Sequence, residues 1–288
     1  MSEHLRMAAR TIISGQRESF EAMQARDFEP QEITRSDNTG YSLPQFIDRT
    51  LFLPRKITFD CALREIVQKK GLARVLDIGC GAGFWSEDLL GGKMGESIEV
   101  FGITGRDYRR TDQRPPVEFS RMDEEGRPMF QDSGGRHIYI GYPLDRNSQM
   151  DNEHYVVGDI HEVLGDFEEA SFDIAVSYQA CRYLFDPLRV LKQVYRTLDY
   201  RGFAFLESFQ LTIFTNDREI LTPKEIKGIF AKNGYDVSIG YYEDYPHTRS
   251  GLSLRKTKPR LHIPSIVYND ITYSEKEGCK KVTYAFNQ

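Results

Sequence analysis

The stretch Val75-Leu76-Asp77-Ile78-Gly79-Cys80-Gly81-Ala82-Gly83-Phe84-Trp85 constrains this chain more than any other. An apolar run carrying one acid stops at three glycines on alternate positions, and a helix-compatible stretch, Trp85 to Leu90, follows. This pattern predicts a buried strand, a sharp turn and a helix. Glycines at such a turn can take positive φ, and without a Cβ they let a ligand lie against the backbone. A dinucleotide loop reads Gly-x-Gly-x-x-Gly, with a pyrophosphate on the helix N-terminus. Here the third glycine comes one residue early, and Asp77 sits two residues before the first. A carboxylate there repels a phosphate and attracts a cationic amino group. The glycines alone fit a turn without a ligand equally well; Asp77 tips the balance.

The pattern Asp-x-Gly-x-Gly-x-Gly resembles motif I of the class I S-adenosylmethionine-dependent methyltransferases. The resemblance implies an α/β fold: a doubly wound, mostly parallel seven-stranded sheet (Rossmann-like) with an N-terminal helical appendage and two insertions. It implies S-adenosylmethionine as cofactor, its methionine part cradled by Asp77, Gly79, Cys80, Gly81 and Gly83. Family members usually end the second strand in an acid that accepts hydrogen bonds from both ribose hydroxyls. In Ile98 to Thr104 that place holds Thr104, a weaker acceptor, and Asp107 could replace the acid if the loop turns back. Tyr155 to Ile160 reads as the third strand. By resemblance, Asp159 accepts from the adenine amino group and Ile160 packs on the ring, although an acid capping the turn is the plainer alternative.

Phe172 to Ser177 reads as the fourth strand, followed by Tyr178 and Gln179. In open α/β sheets ligands lie beyond the carboxyl ends of the strands, so Ser177, Tyr178 and Gln179 border the expected methyl-transfer point. The fifth and sixth strands are expected at Gly202–Glu207 and Asp236–Tyr242, and the alternation of Lys281 to Phe286 suggests the seventh. Three further helices are expected: Phe59 to Lys70, closed by Gly71; Pro187 to Leu198; and one from Pro223 to about Lys232, ended by Asn233-Gly234. This gives a helical appendage or lid at 1–58 and a methyltransferase-like region at 59–288, with insertions at about 106–150 and 243–280. Met7 to Met23 has helical spacing, and the apolar residues of Tyr41 to Leu53 pack on the core or form a lid.

The first insertion carries turn signals at Pro115-Pro116, Gly126-Arg127-Pro128 and Gly134-Gly135, and His137 to Ile140 suggests a hairpin strand. Arg106, Arg109, Arg110 and Arg114 form a basic cluster there. The second insertion holds Arg249, Arg255, Lys256, Lys258 and Arg260. Both fit solvated faces; an acidic substrate or a nucleic-acid backbone is the sharper reading.

Composition adds limits. A chain of 288 residues with net charge −5 has no global field calling for nucleic acid. Cys61, Cys80, Cys181 and Cys279 are far apart, so neither a zinc site nor a disulfide framework is expected, and a reducing, cytoplasmic setting fits. No apolar run approaches a membrane span, and the N-terminus lacks the apolar core of a signal peptide.

Methyl transfer is an in-line displacement, so the protein must mainly position the acceptor, and a hydroxyl acceptor gains from a base. Candidates are Tyr178 and His161, then His247 and His262, while Cys181 is expected to face the core. The leading expectation is a methyltransferase acting on a small molecule. Methylation of RNA or protein, or a non-catalytic cofactor-binding module, are the alternatives.

Overall fold

The computed structural model describes residues 51–52, 57–92, 94–105, 107–110, 117–122, 128–132, 137–139, 147–178, 180–207, 209–214, 218–221, 223–244, 247–274 and 279–286. The expected helix at Met7 to Met23, nearly all of the 1–58 appendage, Gln179, and the arginines 106 and 114 lie outside them.

In chain order, strands β1 (Leu51–Phe52) and β2 (Ile57–Thr58) lead into helix α1 (Phe59–Lys70). Then come β3 (Ala73–Ile78), α2 (Phe84–Leu90), β4 (Ile98–Thr104), β5 (Val117–Met122), β6 (Pro128–Asp132) and β7 (His137–Tyr139). They are followed by β8 (Tyr155–Val157), α3 (Ile160–Asp166), β9 (Phe172–Ser177), a short 3-10 turn (Ala180–Tyr183), α4 (Pro187–Thr197) and β10 (Leu198–Glu207). The chain closes with β11 (Leu211–Phe214), β12 (Arg218–Leu221), α5 (Pro223–Lys232), β13 (Asp236–Asp244), β14 (His247–Arg255), β15 (Ile266–Ser274) and β16 (Cys279–Phe286).

The main sheet runs β2-β1-β13-β14-β10-β9-β3-β4-β8. Without the two-residue edge strands β1 and β2 it has seven strands. β10, β9, β3, β4 and β8 are mutually parallel, and β14 runs antiparallel between β10 and β13. Alternation along the central strands separates two cores. Val75, Ile174, Val176 and Phe205 face Phe59 and Leu63 of α1 and Trp85 and Leu89 of α2. Leu76, Ile78, Ala175, Ala204 and Leu206 face the α4 side with Leu188, Leu191 and Val194. Strands buried on both faces are what a parallel sheet covered by helices requires. α1 ends as expected: Gly71 takes φ +79 and its N–H returns to the Val67 carbonyl at 2.8 Å. Lys70, in its last turn, reaches Asp173 and Asp199, each at 2.5 Å.

Two expectations are corrected. The strand completing the main sheet is β14, not Lys281–Phe286. β14 follows β13 as a hairpin, with Asp244 opposite His247, so part of the segment expected as an insertion at 243–280 belongs to the sheet. Lys281 to Phe286 is a strand, but it lies in a second sheet of order β12-β11-β16-β15. That sheet packs on the α4 core through Leu211, Ile213, Val282 and Tyr284. In the first insertion, His137–Tyr139 pairs antiparallel with β6 as the hairpin strand expected there, and β5 extends the pair to a three-stranded meander.

β14 is squeezed between two strands. A Cβ on Gly251 would stand 2.6 Å from the Leu206 carbonyl oxygen and 2.8 Å from the Glu207 Cα. Gly228, inside α5, has open space around its missing Cβ. Gly251→Ala should therefore lower unfolding stability by roughly 1–3 kcal/mol through backbone displacement. Gly228→Ala should raise it by about 0.5–1 kcal/mol. Urea unfolding of both variants measures the contrast.

Candidate active site

The five parallel strands end along one edge, and the candidate residues gather there. At the end of β3 the chain turns through Gly79, Gly81 and Gly83, whose φ values are +78, +56 and +79. The N–H groups of Gly79 and Cys80 both bond the Ile103 carbonyl of β4, at 2.8 and 3.0 Å. A Cβ on Gly79 would lie 2.3 Å from the Ala180 Cβ, so only glycine lets the turn close against the chain leaving β9. Cys80 is buried, and its sulfur occupies space that a Cβ at Gly102 would fill.

Asp77 lies beneath this turn, on the same face of β3 as Val75. It is buried, and its Oδ2 accepts the Ser86 hydroxyl proton at 2.9 Å. Among the described residues no cationic side chain stands against it. Burial pushes its carboxyl up to about 7, opposed only by the Ser86 bond. Burial disfavours the charged form of such an acid, and a cation placed against it would favour that form.

At the end of β4, Thr104 is buried, and its carbonyl accepts the Gly158 N–H at 2.9 Å. The loop after it does turn back. The Tyr108 N–H donates to the Tyr155 hydroxyl at 3.1 Å, and that hydroxyl donates to the Gly81 carbonyl at 2.5 Å. The Tyr108 amide, next in the chain to Asp107, is thereby tied to the glycine turn. The Arg109 guanidinium forks onto both its oxygens, at 3.1 and 2.6 Å, and holds the carboxyl below its usual range. Arg109 also stacks over Tyr155, 4.4 Å from the ring centroid, and bonds the Met150 carbonyl at 3.0 Å. It fastens the loop, which explains one member of the basic cluster without any phosphate.

At the end of β8, Asp159 caps α3: its Oδ1 accepts the His161 N–H at 2.9 Å. The same oxygen meets the His161 Nδ1 at 2.7 Å, and the His161 Nε2 accepts the Asp186 N–H at 3.1 Å. Burial raises the Asp159 pKa, but the His161 bonds outweigh it and leave the carboxyl below its usual range. Ile160 opens α3 and packs against the α4-side core. His161 was expected as a catalytic base. Both its ring nitrogens are engaged, so it has no lone pair to offer an acceptor without breaking the turn it holds.

Ser177 is fully buried and donates to the Ile78 carbonyl at 2.9 Å, tying the ends of β9 and β3 together. The Tyr178 ring packs between Trp85 and Phe205, with centroids 6.3 and 5.7 Å away. It is buried at the edge of the site rather than standing in open solvent. Cys181 faces the core as expected, and burial pushes its thiol up to about 12. His262 is exposed, with its N–H on the Tyr235 hydroxyl at 2.6 Å, and lies outside this cluster. His247 begins β14 on the carboxyl edge.

Sequence reading missed Ser86, Tyr155 and Glu207. Ser86, in the first turn of α2, carried a usable signal: a hydroxyl at a fixed step from the motif acid. Glu207 is a buried carboxylate at the end of β10, invisible as such because it closes an ordinary strand pattern.

Residues 41–238 match the family model described as a methyltransferase domain. The chain belongs to the methyltransferase domain family. The expected methyltransferase family is borne out by that match, and the expected α/β Rossmann-like fold by the order and direction of the strands. Among solved structures it is similar to a SAM-dependent methyltransferase from Aquifex aeolicus, at 14% identity and TM-score 0.40, covering 79% of this chain and 98% of that one. It is also similar to the Haemonchus contortus phosphoethanolamine N-methyltransferase 2, solved with phosphomonomethylethanolamine and S-adenosylhomocysteine. That match has 18% identity and TM-score 0.35, and covers 64% of this chain and 39% of that one. A third similar structure is the YcgJ protein of Bacillus subtilis, at 16% identity and TM-score 0.32, covering 62% and 69%. No curated protein matches. Among the described residues no helix is long and apolar enough to cross a membrane.

The raised Asp77 carboxyl makes stability depend on pH. The folded protein keeps this proton up to about pH 7, whereas an unfolded chain loses it near 3.8. Ionising Asp77 therefore destabilises the fold as pH rises through that window, by a ceiling of about 4 kcal/mol. Asp77→Asn should match the wild-type melting temperature near pH 4 and exceed it increasingly up to pH 8. Thermal unfolding of the cofactor-free proteins across that range is the check, and a constant difference would exclude a buried ionising acid.

Proposed function

We propose that this methyltransferase transfers the methyl group of S-adenosylmethionine to a small-molecule acceptor. The observation that carries the reading is Asp77: a buried carboxylate, short of a cation, under three left-handed glycines at the edge of the sheet. The residues present fit this cofactor. Asp77 would take the ammonium of its methionine part, and the glycine turn would admit it without a Cβ in the way. Asp107, oriented by the Arg109 fork, would supply a stronger ribose acceptor than Thr104, and Asp159 would take the adenine amino group. The cofactor supplies an electrophilic methyl on sulfonium, and the acidic edge made by Asp77, Asp107, Asp159 and Glu207 suits its positive charge.

The protein's own work is then to exclude water and aim the acceptor. Tyr178 borders the transfer point, where its hydroxyl would orient an acceptor rather than deprotonate it.

A small acceptor is favoured over RNA by where the basic side chains go. Lys256 is buried, with its Nζ on the Arg196 and Leu198 carbonyls at 3.0 and 2.6 Å. Lys258 bonds the Asn233 carbonyl at 2.8 Å and covers the Tyr235 ring, and Arg255 reaches the Arg201 carbonyl at 3.3 Å. These bonds tie down chain ends at the amino edge of the parallel strands, away from the site. They do not form a track for a phosphate backbone.

Calorimetry with S-adenosylmethionine and S-adenosylhomocysteine tests the reading. Micromolar binding is expected, lost in Gly81→Val, where a β-branched residue would be forced to positive φ in a still-folded protein. Near pH 6, where Asp77 is largely protonated, binding of the ammonium should release close to one proton, falling to none at pH 8. Comparing heats in buffers of different ionisation enthalpy measures that release. No binding at millimolar ligand would sink the proposal, and S-adenosylhomocysteine formation with RNA but not with small amines, thiols or phenols would sink its acceptor class.

A further inference from the structure

The hydrogen bonds around His161 form a directed chain whose polarity is fixed at one end. The Asp186 backbone N–H can only donate, so the His161 Nε2 facing it at 3.1 Å carries a lone pair. In the neutral ring the proton then sits on Nδ1, which donates to the Asp159 Oδ1 at 2.7 Å. Both side chains are nearly covered, at 8% and 12% exposure, so water competes little for either bond.

Asp186 is itself held on several sides. Its Oδ1 accepts the Arg189 N–H at 2.9 Å, capping α4, and the Tyr284 hydroxyl proton at 2.6 Å. The Tyr284 oxygen in turn accepts the Leu188 N–H at 3.1 Å. The Phe185 ring packs edge-on to the imidazole at 6.3 Å and 78°. The His161 anchor therefore draws on α4 and on β16 of the second sheet.

The consequence falls on Asp159. A carboxylate rotates easily about its terminal bond, where the torsional wells are broad. One capping bond from a backbone N–H does not fix that rotation. Here the backbone N–H and the imidazole both converge on Oδ1. Oδ2 is left in one direction rather than two, which is what a single outward hydrogen bond needs.

We infer that His161 is a positioning residue for purine recognition: anchored on Asp186, it locks the Asp159 carboxylate so that Oδ2 addresses the 6-amino group of the cofactor. This rests on the proposed adenine role of Asp159. Without the clamp the acid must be ordered at each binding event, and selectivity for the amino group falls.

The test uses the full chain and two probes, S-adenosylhomocysteine and its 6-deamino analogue, in which hydrogen replaces the purine amino group. In wild type the analogue should bind roughly ten- to a hundredfold more weakly, as expected for losing a hydrogen bond to an ionised group. His161→Phe keeps the ring and removes both nitrogens. It should bring that ratio toward unity while leaving the affinity for the 6-deamino analogue little changed. His161→Asn, which returns a donor at the Nδ1 position, should restore most of the ratio. If His161→Phe weakens both ligands equally, or neither, the inference is overturned, because a merely structural role leaves the ratio intact. Should the Phe variant not fold, His161→Asn and His161→Gln decide instead. Asn keeps the donor to Asp159 and Gln does not, so equal ratios overturn the clamp. Asp159→Ala separates the two levels. A wild-type ratio in that variant removes the adenine role itself. A collapsed ratio there beside a normal one in His161→Phe leaves the adenine role standing and the clamp refuted.

Discussion

A carboxylate taken out of water at the end of the central strand is the constraint around which this molecule is built. Asp77 stands where apolar side chains belong, on the Val75 face of β3, and among the described residues the Ser86 hydroxyl is what supports its charged form. The position disfavours the ionised side chain, and under the proposed function a bound cation would offset that cost. The residues adjacent to it fix the turn above it. Three glycines keep the turn low, Ala180 seals one side of it, and the Tyr155 hydroxyl holds the Gly81 carbonyl from the other. Burial costs the ionised form stability locally, and it also keeps water from weakening whatever charge meets the acid.

The strand ends around that acid are bound to one another rather than left as separate loops. Ser177 joins β9 to β3, Ile103 carries two amides of the glycine turn, and Gly158 closes on Thr104. The edge is therefore a single hydrogen-bonded rim. Side chains that look like free chemistry in the sequence turn out to be parts of that rim. Arg109 orients an acid, Ser177 bridges two strands, and both nitrogens of His161 are in use.

Much of this was legible in the sequence, and the failures have physical causes. The strand–turn–helix unit at Val75 to Leu90 and the helix ending at Gly71 were readable because glycine and apolar spacing act locally. The segment His247 to Arg255 hid a central strand. It is polar and basic, yet Leu252 and Leu254 are buried, and its paired neighbours supply the rest of the burial. Conversely, the alternation of Lys281 to Phe286 correctly announced a strand, with Val282 and Tyr284 inward, but periodicity names no partner. The engagement of His161 was unreadable for the same reason: its second nitrogen is satisfied by a backbone amide 25 residues away.

The position of β16 has a consequence for synthesis. It lies between β15 and β11, parallel to β11, so the hairpin formed by β11 and β12 has no third strand until residues 279–286 have been made. The same strand carries Tyr284, whose hydroxyl reaches Asp186 at the head of α4. As the chain leaves the ribosome, the glycine turn and its acid can assemble early, from contacts within the first half of the sheet. The second sheet and the Tyr284 contact come last. A nascent chain would thus possess the glycine turn and Asp77 well before that contact with Asp186 is in place.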